Sequence, residues 1–217
     1  MESGSFSDSD PAAGERGRAT QVGQVVREGW TPADPGPLGL AAFALTTFVL
    51  SMFNAGLVGE GGEPVVLGVA LAYGGLAQLL AGMWEFRTGN TFGAVAFSSY
   101  GAFWLSFWAL VVFYAPKIPA ADAGHAVGLY LWAWAIFTAY MTVASLRTTG
   151  AVALVFVLLT VTFILLGAGN SGGHENVIKW GGYVGLATAL AAWYASFAAV
   201  ANSTFGRIIL PVVPLKR

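Results

Sequence analysis

A set of polar side chains lies within otherwise apolar stretches of this sequence, and these side chains are the ones able to bind a solute. Hydroxyls and amides can donate and accept hydrogen bonds, and one carboxylate can also take up a proton. A polar group in hydrocarbon is costly unless it is satisfied, so each of these residues requires a partner. The set predicts contacts either between helices or with a passing solute. Its members are Thr46, Thr47, Asn54, Gln78, Glu85, Asn90, Thr91 and Ser99.

Each of these residues also has a structural explanation. Threonine and serine hydroxyls often bond to the carbonyl four residues earlier in their own helix, which we expect for Thr46, Thr47 and Ser99. Asn54 and Gln78 carry amides with four hydrogen bonds to satisfy. For these two amides, clamping between helices and contact with a substrate stay open as alternatives.

Glu85 is the ionisable group expected at the edge of the membrane, so it is a candidate for proton coupling. It lies seven residues after Gln78 and therefore on the same helical face. A simple ion pair with the nearby Arg87 is the alternative. The run 89–93, Gly-Asn-Thr-Phe-Gly, predicts a break before the next helix, whose free amides can attract an anion.

Other function classes find little support in the composition and motifs. The net charge of −1 offers no basic surface for nucleic acid, and the chain has no cysteine. The sequence contains no Gly-x-Ser-x-Gly elbow, no phosphate-binding loop and no His-Glu-x-x-His. We therefore expect no enzyme activity, no cofactor, no metal site and no nucleic-acid partner.

The elements that position the polar residues are transmembrane helices. The chain is 56% hydrophobic and 10% charged, and its apolar residues gather in runs of about the 20 residues that cross a bilayer. We expect an all-α membrane protein with a disordered tail over 1–33, a six-helix transport domain over 34–211 and a short end over 212–217. The six segments are expected at about 37–59, 64–84, 92–115, 126–146, 151–169 and 180–201.

The orientation follows from lysine and arginine in the short loops, which favour the cytoplasmic side. Eight of them fall on the side of the two termini, and Lys117 and Lys179 fall on the other side. This predicts cytoplasmic N- and C-termini in the plasma membrane. The eight are Arg16, Arg18, Arg27, Arg87, Arg147, Arg207, Lys216 and Arg217.

The start of the first segment resembles the Asn-Pro-Ala-Pro-Leu-Gly-Leu signature of the acetate uptake transporter family. The similarity continues through 43–56, 73–85, 89–104, 169–170 and 205–207, and so covers nearly all of the chain except the tail. The matching residues of the signature are Asp34, Pro35, Gly36, Pro37, Leu38, Gly39 and Leu40. Asp34 departs from the family's asparagine; both types can begin a helix, but aspartate adds a charge that repels carboxylates.

The resemblance implies six helices around a central path in each protomer of a homohexamer. It implies proton-coupled passage of acetate and related small carboxylates, with succinate as a further candidate. By alignment, an apolar constriction falls on Phe43, Tyr100 and Leu159. Such a collar gates by dewetting and penalises a hydrated anion, and Tyr100 could donate a hydrogen bond to the passing carboxylate.

Two other functions fit the same sequence. The first is a passive acetate-selective anion channel, which would have the same fold but no coupling to protons. The second is a membrane sensor, which would bind carboxylates without transporting them.

Overall fold

The computed structural model describes Trp30 and residues 32–215, and within them it is all-α. Six helices are long and apolar enough to cross a membrane, which confirms the predicted fold class. The chain divides into two compact units at Ala33, and only Trp30, Pro32 and Ala33 of the first unit are described. The disorder predicted for 1–33 therefore falls almost entirely outside the described residues.

The helix boundaries differ from the predicted ones most at two starts and at the end of the first helix, which is Asn54 and not position 59 because the chain turns at Gly56, whose φ is +70°. Helix four begins six residues and helix six five residues earlier than expected, because carboxylates at their N-termini interact favourably with the helix dipole. Asp122 lies in the first turn of one and Glu175 in the first turn of the other. The helices are α1 (Gly36–Asn54), α2 (Val65–Thr88), α3 (Thr91–Lys117), α4 (Ala120–Ser145), α5 (Gly150–Gly172) and α6 (Glu175–Thr204).

Two of the helices contain widened turns that the sequence did not indicate. The segment Ala70–Ala77 of α2 and the segment Leu110–Tyr114 of α3 are π-helical. A π-turn inserts an extra residue into the helix and is frequent at functional sites. In α2 it lies directly before Gln78, so it sets the direction in which the following Gln78 and Glu85 face.

Small residues bring the helices together, as expected where lipid supplies no hydrophobic drive between them. Helix α1 packs mainly on α6, α6 on α5, and α5 on α4, while α2 and α3 form a pair beside α1. Gly185 of α6 meets the side chain of Ser51, and Gly82 of α2 meets the backbone of Ser98. Between α3 and α4 the contact is made instead by large aromatic rings, such as Phe103 stacked on Tyr130.

The signature residues fold into the start of α1. Asp34 Oδ1 accepts a 2.8 Å hydrogen bond from the Gly36 N–H. The carbonyl of Pro37 accepts a 2.7 Å bond from the Ser196 hydroxyl of α6. Gly39 lies against the ring of Phe97 in α3, where a larger residue would collide with it. The signature thus fixes the entry of α1 against two other helices.

After α6 the chain returns to the turn between α4 and α5. The Gly150 N–H donates to the Val213 carbonyl at 2.7 Å, and the Leu215 N–H donates to the Thr148 carbonyl at 3.0 Å. Asn202 holds the start of this return because its side chain bonds to the backbone of residues 209 and 210. The 212–217 end is thus packed on the bundle over its described residues.

Candidate functional site

A cavity of about 250 Å³ lies between α1, α3, α4 and α5. It extends to the end of the bundle where α1, α3 and α5 finish. Its walls are mainly aliphatic and aromatic, with a few neutral polar side chains. The lining residues are Phe43, Thr47, Leu50, Ser51, Asn54, Glu63, Phe103, Trp104, Phe107, Leu110, Val111, Ala115, Val127, Tyr130, Leu131, Leu159, Thr162, Phe163, Leu166 and Asn170.

Phe43 and Leu159 line the inner end of this cavity, and both are buried. Tyr100 does not line it; its ring centroid lies 5.8 Å from that of Phe43. At the usual rise of 1.5 Å per residue, each of the three residues lies about 10–14 Å from the start of its helix. Phe43, Tyr100 and Leu159 therefore lie at a similar depth along the helix axes. The three residues expected at the constriction are thus close together, while their role as a gate stays a prediction.

Two neutral polar groups along the cavity have no partner within the described residues. The Thr47 hydroxyl and the Trp104 indole N–H are buried and make no hydrogen bond within the described residues. Buried polar groups in proteins are nearly always paired, so the missing partners make these two groups candidates for contact with a solute. Ser51 and Asn54 line the same wall of α1.

Glu63, at the outer end of the cavity, is the one charged residue among the lining residues. A neighbouring cavity of about 160 Å³ shares Asn54 and Glu63 with the larger one. It is also lined by Lys179 and Glu175, whose side chains form a 2.6 Å ion pair. The outer end therefore carries charges of both signs, whereas the interior carries none.

Three of the predicted polar contacts lie away from the cavity. The Thr46 hydroxyl donates to the Ala42 carbonyl at 3.0 Å, which confirms the expected bond to the helix backbone. Ser99 makes no such bond, nor does Thr47. Gln78 is fully buried, and both polar atoms of its amide lack partners within the described residues. A binding role for Thr46, Gln78 and Ser99 stays a prediction.

Glu85, Asn90 and Thr91 lie at the other end of the bundle, where α2 ends and α3 begins. Glu85 is buried, and its Oε2 accepts bonds from Thr88 at 3.1 Å and Asn90 at 2.9 Å, not from Arg87. Asn90 Oδ1 also caps α3 by accepting from the Gly93 N–H at 3.1 Å. The protein's own carboxylate thus occupies the helix start that was expected to attract an anion, and proton coupling by Glu85 stays untested.

The aromatic wall of the cavity was not singled out from the sequence. Phe103, Trp104 and Phe107 on α3 face Tyr130 on α4, whose hydroxyl donates to the Phe103 carbonyl at 3.1 Å. A usable signal was present, because Tyr100, Phe103, Trp104 and Phe107 recur at the three- and four-residue spacing of one helical face.

The comparisons with known proteins agree with this architecture. Acetate permease A of Emericella nidulans is 46% identical over 83% of this chain. The Succinate-acetate/proton symporter SatP of Escherichia coli (strain K12) is 40% identical over 83% of this chain and 95% of its own length. The solved structure of the bacterial acetate channel SatP matches with a TM-score of 0.79 and 37% identity, covering 84% of this chain and 99% of that one.

The matches to fungal proteins cover a smaller share of the fungal protein's own length. The chain spans 62–66% of the length of three fungal relatives, among them Acetate permease A. The model of the GPR1/FUN34/yaaH family matches residues 18–217 of this chain. This match and the bacterial relatives confirm the family membership expected from the motifs. The chain is a multi-pass membrane protein that belongs to the GPR1/FUN34/yaaH family.

Proposed function

We propose that this chain transports acetate and related small carboxylates, with succinate as a further candidate, across a membrane. The cavity carries the proposal: it is large enough for a small acid, and its interior offers hydroxyls, amides and an indole N–H without a cation. Sites for small ligands are typically concave and apolar with a few placed polar groups. The names of Acetate permease A and the SatP symporter support the choice of solute.

The proton is proposed to move on the acid itself. Phe43 and Leu159 line the inner end of the cavity, and an apolar collar formed there would oppose a hydrated anion. A protonated acid carries no net charge and therefore loses less free energy on entering such a collar. Proton-coupled uptake then needs no titrating residue in the cavity wall. Coupling through Glu85 is the competing proposal, and it predicts a different response to mutation.

The assembly and location are proposed from the sequence and the outer surface. The exposed face of α4 carries Leu129, Ile136 and Val143 at intervals of seven residues, which suits contact with lipid or with another protomer. We propose a homohexamer with a path in each protomer. The excess of lysine and arginine on the side of the termini supports cytoplasmic termini in the plasma membrane. Transport without enzymatic conversion of the solute is part of the proposal.

Uptake of radiolabelled acetate into proteoliposomes tests the proposal. We expect uptake above that of empty vesicles, and faster uptake when the outside is more acidic than the inside. Flux equal to that of empty vesicles, in protein that elutes as a folded species, would refute transport. Binding of acetate without flux would favour the membrane sensor.

A passive acetate-selective channel is the second candidate, favoured by the solved relative described as an acetate channel. The two mechanisms differ in the charge that crosses. Planar-bilayer recording separates them: acetate currents without protons indicate the channel, and electroneutral flux indicates that acid and proton cross together.

A further inference from the structure

The hydroxyl of Tyr100 is held by a threonine on another helix. Its oxygen lies 3.0 Å from Oγ1 of Thr138, which α4 contributes. Tyr100 is 2% exposed and Thr138 is 0% exposed, so water does not compete for this bond. It is the one hydrogen bond that the Tyr100 hydroxyl makes within the described residues.

The direction of this bond is fixed by a second one. Thr138 Oγ1 also lies 2.7 Å from the carbonyl oxygen of Trp134, four residues earlier in α4. A carbonyl can only accept, and a threonine hydroxyl has a single hydrogen, so that hydrogen points to Trp134. The hydrogen between Thr138 and Tyr100 must then come from Tyr100. The tyrosine donates inside the protein and keeps only acceptor capacity for anything else.

A hydroxyl that can only accept hydrogen bonds, as that of Tyr100 does, distinguishes a protonated carboxylic acid from its anion. An ionised carboxylate can accept hydrogen bonds but cannot donate any, whereas the protonated acid has one O–H donor. A tyrosine whose hydrogen is already in use can therefore bond to the acid and presents only lone pairs to the anion. This reverses the expectation that Tyr100 donates to a passing carboxylate.

The surroundings of Tyr100 raise the free energy of an anion at this position. The ring lies among those of Phe43, Phe137, Phe156 and Trp134, at centroid distances of 5.5–6.2 Å. Aromatic carbon offers no substitute for the water that an anion loses on entering. In such surroundings an unmade hydrogen bond costs more than it would in water.

We propose that Thr138 is a specificity-determining residue that makes the constriction select protonated acid over its anion. It acts through Tyr100, by taking the tyrosine hydrogen and leaving an acceptor at the level of the closure. Thr138 is thus a positioning residue, and the selected ligand class is the uncharged short-chain monocarboxylic acid. The inference rests on the proposed function, because it concerns which form of the solute crosses.

The test replaces the hydroxyl of Thr138 and measures the charge that crosses. Thr138→Val keeps the branched shape, cannot accept from Tyr100 and frees the tyrosine hydrogen for an anion. We expect the acetate current in planar bilayers to rise about tenfold, the effect of a hydrogen bond worth about 1.4 kcal/mol. In proteoliposomes, uptake at fixed total acetate should fall less steeply as the external pH rises. Thr138→Ala provides a second variant without the hydroxyl, should the valine protein fail to fold.

Two control variants isolate the role of the hydroxyl. Thr138→Ser restores a donor to Trp134 and an acceptor for Tyr100, so it should behave as the unmodified chain. Thr142, one turn later, also bonds to the carbonyl four residues earlier, that of Thr138 at 2.8 Å. Its hydroxyl further contacts the Phe156 carbonyl at 3.1 Å and the Thr160 hydroxyl at 2.8 Å, and none of these bonds involves Tyr100. Thr142→Val should therefore leave both the current and the pH profile unchanged.

The outcomes separate the inference from the proposed function. A current gained by Thr138→Val or Thr138→Ala, and absent from Thr138→Ser and Thr142→Val, supports the inference. An unchanged current and pH profile in the variants without the hydroxyl overturns it, and so does an equal gain in either control. If the unmodified chain moves no acetate at all, the proposed function itself fails, whatever the variants do.

Discussion

Asn90 joins the end of α2 to the start of α3 through the carboxylate of Glu85. Its Nδ2 donates to Glu85 Oε2 at 2.9 Å, and its Oδ1 accepts from the Gly93 N–H at 3.1 Å. The same amide therefore caps one helix and donates to one oxygen of a buried acid on the other, whose Oε1 has no partner within the described residues. The arrangement explains why an acid and an amide five residues apart occur together at a helix break.

Removing this link should destabilise the protein without closing the cavity. Asn90→Ala deletes a helix cap and one hydrogen bond to a carboxylate, so we expect a loss of about 1–3 kcal/mol in the free energy of unfolding. Thermal unfolding of the detergent-solubilised protein, followed by circular dichroism, measures the loss. Thr91→Ala, at the neighbouring exposed position, should change stability by no more than about 0.5 kcal/mol. Equal effects of the two substitutions would contradict the capping role of Asn90.

Glu85→Gln distinguishes the two proposed carriers of the proton. Glutamine keeps an oxygen that can accept from Asn90 but cannot bind or release a proton at neutral pH. If the proton travels on the acid, acetate uptake should still accelerate when the outside is made acidic. The measurement is the ratio of initial uptake rates with and without a pH gradient. A folded Glu85→Gln protein that has lost this acceleration would instead establish Glu85 as the coupling group.

Thr47 and Trp104 should contribute to binding more than to stability. Each presents a buried donor without a partner in the described chain, so Thr47→Val should leave the protein equally or more stable. Its apparent affinity for acetate should fall about tenfold if the hydroxyl bonds to the acid, which corresponds to about 1.4 kcal/mol. The concentration dependence of initial uptake reports the affinity. Trp104→Phe should show the same loss of affinity.

Thr160→Val is the matched control for that prediction. The Thr160 hydroxyl donates to the Phe156 carbonyl at 2.9 Å and contacts Thr142, so it is already satisfied, and Thr160 does not line the cavity. The substitution should lower stability and leave the affinity for acetate unchanged. The opposite pattern, with stability lost at Thr47 and affinity lost at Thr160, would show that the cavity is not the binding site.

Leu159→Ala should open the inner end of the cavity. We expect faster uptake and entry of larger acids, together with a loss of about 2–5 kcal/mol in stability from the deleted core side chain. Competition of unlabelled acids of increasing length against labelled acetate measures the range. Leu158→Ala is the control, because this neighbouring residue of α5 faces an outer groove with Leu154 and Leu190. Selectivity that changes equally in both variants would argue against a gate at Leu159.

Much of the fold followed from the sequence because membrane helices are specified locally. Runs of apolar residues set the number of helices, and the break at Gly89–Gly93 placed the end of α2 and the start of α3 to within a few residues. Gly89 has a φ of +79°, which glycine adopts without strain. The early start of α6 was missed because Glu175 and Lys179 interrupt the apolar run, although their ion pair stabilises the added turn.

The site was less predictable because it depends on contacts between distant residues. Phe43 and Leu159 were placed by resemblance, and both line the cavity. Nothing local indicates that Tyr100 meets Thr138, 38 residues away, or that Gln78 is left without a partner while Thr46 bonds to its own helix. Hydropathy shows that a residue is buried, but it does not show which neighbour satisfies it.

The return of residues 212–215 to the turn between α4 and α5 has a consequence for biosynthesis. Translation proceeds from the N-terminus, so Thr148 and Gly150 emerge long before Val213 and Leu215, which bond to them. Backbone groups at the beginning of α5 therefore stay without these partners until α6 has been inserted. This turn is completed only after residues 212–215 have been synthesised, and until then a chaperone or a protease would meet it in its open form.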